Sequence, residues 1–207
     1  MKKIKRYAAL VAASALVLSP ISPAQAEEEA LKTMPLTEVL NLPRASFDDN
    51  LGDYDIFTQL FMDVWGALPE SAVSAISQGD VALTAFVPTD RAFRKLVRHL
   101  TGSASKNEEA LAAAAMSLGA ETLEKVILYH VVVGNPILSP AALEANGSVL
   151  NTAAGQTFRV KVEGTKITLI DKSKKHKNAV VLLSKVDINK GNKQVAHGIN
   201  QVMLPKL

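Results

Sequence analysis

Four histidines, at positions 99, 130, 176 and 197, are the residues of this 207-residue chain best suited to hold a metal or move a proton. None stands at the short spacing to another His, Asp or Glu that a helix or hairpin metal site uses, as in H-E-x-x-H. No G-x-S-x-G turn presents a serine nucleophile, and no S-x-x-K pair lies in an active-site context. No glycine-rich loop follows a strand to cradle phosphate. Cysteine is absent, which removes disulfide and thiolate–metal chemistry. The sequence therefore predicts no catalytic residue, no metal and no cofactor, and the chain does not read as an enzyme.

Charge offers a second kind of chemistry. Asp171 to Lys193 holds seven Lys and two Asp. Lys172, Lys174, Lys175 and Lys177 form its densest part, a candidate patch for an acidic polysaccharide or wall polymer. The alternative is a solvated loop with strand edges guarded by lysines. Aromatics are missing from the patch, which argues against single-stranded nucleic acid.

The net charge of the whole chain says less than it seems to. Lys2, Lys3, Lys5 and Arg6 precede an apolar stretch, Tyr7 to Ser19, and a small-x-small site at Ala24-Gln25-Ala26. These are the three parts of a cleavable export signal over residues 1–26. The apolar stretch is too short for a bilayer core, which needs roughly 20 residues, and Pro20 and Pro23 break the helix before the cleavage site. Of 23 Lys+Arg and 20 Asp+Glu, the leader carries four bases and no acid, so 19 bases face 20 acids after Ala26. The expected product is secreted, extracellular or periplasmic, and not membrane-spanning. Asn146-Gly147-Ser148 is a formal glycosylation sequon or a plain Asn-Gly turn.

The elements that must position these residues follow from periodicity. Residues 27–46 are mixed and read as an N-terminal extension with one short helix around Leu36 to Leu42. From Tyr54, apolar residues Phe57, Leu60, Phe61, Val64, Trp65 and Leu68 recur at helical steps. Val81 to Val87 suits a buried strand ended by Pro88. Thr89 or Asp90 then caps a helix carrying Ala92, Phe93, Leu96 and Val97. Helices are predicted over Glu108 to Leu118 and Glu121 to Val133, the second ended by Gly134-Asn135-Pro136. Gln156 to Val162 and Thr165 to Ile170 alternate around Glu163-Gly164, a hairpin signal. Ala179 to Val186 and Val195 to Leu204 read as two further strands. Helices come first and strands later, so the class is α+β.

Three segments together resemble the fasciclin (FAS1) domain family. Thr84-Ala85-Phe86-Val87-Pro88-Thr89-Asp90-Arg91-Ala92-Phe93 is similar to its first signature. Leu128-Tyr129-His130-Val131-Val132-Val133-Gly134 is similar to its Tyr-His motif. Val195-Ala196-His197-Gly198-Ile199-Asn200-Gln201-Val202-Met203-Leu204-Pro205 is similar to its closing signature. The resemblance places a single domain at 47–205 and implies a wedge-like β-sandwich with a cluster of helices packed on it. Departures stand at Lys193 and Gln194, where the family usually has Asn-Gly, at Asn200 for Asp, and at Gly198 for an apolar residue.

The resemblance implies an adhesion or cell-envelope and matrix module that binds protein or polysaccharide, with weak self-association open. An alternative is an extracellular carrier of an apolar ligand such as a carotenoid or lipid. Animal members bind integrins around the Tyr-His motif and an Asp-Ile pair; the matching positions are Tyr129, His130, Asp187 and Ile188. The motif positions Thr89, Asp90, Tyr129, His130 and His197 are read as mainly structural. His130 shares a face with Leu123, Val126 and Ile127, so it is expected to be buried, neutral and hydrogen-bonded.

Overall fold

A computed structural model describes residues 30–40, 47–48, 50–173 and 176–206. The leader, the acidic run Glu27–Glu29 behind it, Lys174 and Lys175 lie outside the described residues. The chain divides into two units, residues 1–30 and residues 31–207. Every element named below belongs to the second.

A three-stranded sheet organises that unit, in the order β2-β1-β7. β1 (Leu83–Pro88) runs parallel to β7 (Gln194–Ile199), pairing Leu83 with Gln194 and Pro88 with Ile199. On its other edge it is antiparallel to β2 (Val131–Val133). All six residues of β1 and all six of β7 are buried, as expected of strands covered on both faces. The second sheet is an antiparallel meander, β3 (Val149–Asn151), β4 (Thr157–Glu163), β5 (Lys166–Ile170) and β6 (Ala179–Val180). β4 and β5 are the hairpin expected from their alternation, and they bury one face only.

Side chains of β1 alternate between two cores. Leu83, Ala85 and Val87 enter a helical core with Ile56, Leu60, Phe61, Leu96, Leu111 and Ile127. Phe86 enters an inter-sheet core with Tyr129, Phe158, Leu169 and Met203. Phe86 meets Phe158 edge-on, with ring centroids 5.5 Å apart. The helices are α1 (Leu36–Val39), α2 (Asp55–Ala67), α3 (Asp90–Thr101), α4 (Glu108–Met116), α5 (Ala120–Tyr129) and α6 (Ser139–Glu144). The class is mixed α+β.

Four boundaries differ most from the sequence expectation. α5 stops at Tyr129, and Val131 to Val133, expected as helix, form β2. The β-branched side chains disfavour helix, and the open edge of β1 takes their backbone groups. The strand expected over Ala179 to Val186 is cut to β6 and one bridge at Val181, then tightens into a 3-10 turn at Leu183–Lys185. The closing strand ends at Ile199. Residues 31–40, read as part of an extension, lie inside the compact unit. Lys32 bridges Asn192, and Leu36 is fully buried.

Candidate functional site

The Tyr-His motif sits where α5 passes into β2. Tyr129 is 0 % exposed and its hydroxyl donates to the Thr157 carbonyl at 3.0 Å. Burial, with the Asp171 charge adding to it, pushes its pKa up to about 12. His130 is 1 % exposed. Its Nδ1 lies 2.7 Å from the Val126 carbonyl, while Nε2 accepts the Met203 amide at 2.9 Å. That pairing fits the neutral Nδ1–H tautomer, and burial lowers its pKa to about 4. The ring thus joins the end of α5 to the segment after β7. Partner contact at Tyr129 and His130, as the resemblance implies, meets side chains enclosed by the protein's own core.

His197, in β7, lies 2.7 Å through Nε2 from the Ile137 carbonyl, and its Nδ1 accepts the Asp187 amide at 3.3 Å. Burial lowers its pKa, against the pull of the Ile137 bond and the Asp187 charge. Asp187 adopts a left-handed φ of 55°, a backbone uncommon outside glycine that Asp tolerates better than most residues. Its carboxylate accepts the Ser139 amide and hydroxyl at 2.7 and 2.6 Å, at the start of α6. Burial pushes that carboxyl up, but the Ser139 bonds and the His197 and Lys190 charges outweigh it, so its pKa falls. Ile188 pairs its backbone with Ala196 and packs against the helical core. Of the four positions matched to integrin contacts, only Asp187 and Ile188 reach the surface in part.

The departures from the family pattern are absorbed locally. Gln194 is 0 % exposed. Its Oε1 accepts the Leu36 amide at 2.9 Å, and its Nε2 donates to the carbonyls of Ala75 and Gln78, both at 2.8 Å. Asn200 accepts the Val180 amide on its side chain. At Gly198 a Cβ would collide with the Tyr54 hydroxyl and Lys185. Its absence lets the Lys185 ammonium sit 5.3 Å over the Tyr54 ring. The Asn146 amide oxygen accepts the Val162 amide, and Gly147 follows with φ 81°.

The capping assignment at Thr89-Asp90 needs correction. The Thr89 side chain makes no cap bond to α3. Asp90 does cap a helix, but the neighbouring one: its carboxylate accepts the amides of Ile56 at 2.8 Å and Asp55 at 3.3 Å, at the start of α2. α2 needs that help because its own preceding residue, Tyr54, provides no side-chain cap. Burial, then a hydrogen bond with Asp53, lifts the Asp90 carboxyl well above the usual range, while the Ile56 amide pulls the other way.

The lysine-rich segment takes part in a cleft. Lys95, His99, His176, Lys177, Asn200 and Gln201 line about 680 Å³, with Leu96 and Val202 as its apolar floor. His99 and His176 face each other at 6.1 Å between ring centroids. Lys95 donates to the Asn200 carbonyl at 2.8 Å. Burial and the charges of Arg91 and Lys177 lower the Lys95 pKa. None of the described residues lining the cleft is a carboxylate, and Asp171 stands behind it, 4.0 Å from His176 Nε2. Lys172 is exposed beside it in sequence but borders a different depression. Lys95, from α3, carries no signal in the sequence, and His99 is weighed there only for metal and proton chemistry, because nothing local links either to residues 176–177.

No helix among the described residues is long and apolar enough to cross a membrane. No curated protein matches the chain. Among solved structures it is similar to a FAS1 domain pair from the insect cell adhesion molecule fasciclin I, at 15 % identity and a TM-score of 0.50. That match covers 72 % of this chain and 46 % of the other, so this chain spans less than half of the fasciclin I structure. The family model for the Fasciclin domain matches residues 61–205, from within α2 to the end of the closing signature. The chain belongs to the Fasciclin domain family.

Proposed function

We propose that this chain is an exported adhesion-type module that attaches to an acidic polysaccharide of a cell envelope or matrix through the Lys95–Lys177 cleft. One observation carries the reading. Two lysines and two histidines from distant parts of the chain line one cleft, and no carboxylate joins them among the described lining residues. Such a surface focuses field on a polyanion. The three-part leader supports export, and family membership supports an adhesion-type role. The Tyr-His motif serves the scaffold in this reading, and Asp187 with Ile188 shapes the loop before β7.

The carrier alternative has less to stand on. The apolar void bounded by Phe57, Leu60, Phe93, Leu123 and His130 is about 10 Å³, at the lower limit for a single water molecule. Binding to immobilised heparin, used as a sulfated polysaccharide probe, tests the polyanion reading across a salt series. Retention that falls with salt, and drops at least fivefold in Lys95→Glu/Lys177→Glu, is expected. Salt-insensitive retention, or an unchanged double variant, would overturn it.

A further inference from the structure

Five acidic side chains gather where α2, α3 and α4 begin. Oxygens of Asp53, Asp90 and Glu108 all lie within 4.8 Å of one another, and Glu108 shares a second such triad with Asp48 and Asp55. Asp55, Asp90 and Glu108 are each the first residue of their helix. The three helix starts offset part of the mutual repulsion. No basic side chain does: the ion pairs among the described residues are Lys161–Glu163 and His176–Asp171, both elsewhere.

Hydrogen bonds satisfy only part of the cluster. Both Asp90 oxygens accept α2 amides, and Glu108 Oε2 accepts the Asp48 amide at 2.8 Å. Glu108 Oε1 and Asp53 Oδ1 are buried and take no N–H or hydroxyl donor among the described residues; Asp53 and Asp90 can bond each other only by sharing a proton. Glu108 is 1 % exposed. A buried carboxylate oxygen without a donor is costly. Two of them in one triad point to a positive group that belongs between them.

We propose that Asp53, Asp90 and Glu108 bind a divalent cation of the calcium type, with Asp48 and Asp55 forming its acidic approach. The donor set suits calcium. Calcium takes about six to eight oxygen ligands in a flexible geometry, whereas magnesium demands a near-ideal octahedron and keeps most of its water, so carboxylates fixed by three separate helix starts suit calcium better. Three carboxylates, with water and backbone oxygens completing the shell, suit the weak sites of extracellular modules, with dissociation constants on the order of 0.1–1 mM. The ion would pin three helix starts together. The site goes beyond the polysaccharide reading and stands or falls separately from it.

Terbium luminescence tests the site, because Tyr54 lies between Asp53 and Asp55 and feels the charges of Asp53 and Asp90. Saturable sensitised emission from the wild-type chain, displaced by millimolar calcium, is expected. Calorimetry with calcium alone should give one ion per chain. Glu108→Gln and Asp53→Asn should each weaken binding at least tenfold, while Glu163→Gln, on the remote β4, binds as wild type does. In chelator, relief of repulsion should leave both site variants at least as stable as wild type; in calcium, only wild type should gain melting temperature. Wild type without stoichiometric binding, or both site variants binding normally, would overturn the proposal. Absent binding in wild type would mean that shared protons hold the cluster instead.

Discussion

At the scale of single residues, His130 shows how a motif residue can be indispensable without touching anything outside the protein. Its ring is neutral because it is buried, with a folded pKa near 4 against an ordinary 6.5. The unfolded chain therefore takes up a proton that the folded chain refuses. Above pH 6.5 this has no effect on stability. Between pH 6.5 and 4 stability declines, by about 3 kcal/mol in total from this group. Urea midpoints across that range should fall more steeply for wild type than for His130→Gln, and parallel curves would remove the role assigned here. The ring's burial was legible in the sequence from the apolar face it shares with Val126 and Ile127. Its bond to Met203 was not, because no local pattern links positions 130 and 203. The same gap explains the acidic cluster. Asp48, Asp53 and Asp55 stand together in the sequence, but Asp90 and Glu108 join them only through tertiary packing.

Elements were legible in proportion to their length and regularity. α2, α3 and the β4–β5 hairpin announced themselves because each buries one face over many residues. β2, β3 and α6 are three to six residues long and owe their form to neighbours, so periodicity had nothing to count. Gln194 shows a related limit: at the place where the family pattern has Gly, a long amide reads as a loss of the turn. The folded chain instead uses it to tie α1 and the 3-10 turn Ala72–Ser77 to the first residue of β7. Gln194→Leu leaves the Leu36 amide without its acceptor, while the Ala75 and Gln78 carbonyls keep the amides of Gln78 and Val81. A loss of about 1–3 kcal/mol is expected from denaturant unfolding. Faster amide exchange at Leu36 should accompany it, and unchanged exchange there would contradict the tie.

For the molecule as a whole, the sequence located the family signatures but set the start of the domain at residue 47. Leu36 and Leu40 belong to the helical core, and Lys32 exchanges backbone bonds with Gly191 and Lys193. A chain beginning at residue 47 should thus be less stable than one beginning at 31, by about 2–5 kcal/mol from Leu36 alone. Leu36→Ala in the full chain should reproduce most of that loss in urea unfolding. Equal stability of the two truncations would show that the segment is an ornament.

The parallel pairing of β1 with β7 also bears on how such a chain could travel. Strand β1 has no partner on that edge until residues made about 110 positions later arrive, a separation that slows folding. The central sheet cannot close around an unfinished chain. A protein drawn through a narrow export channel must stay threadable until its tail has emerged. Under the proposed export, β7 and the Met203 amide that locks onto His130 beyond it would act as the latch that closes only after passage.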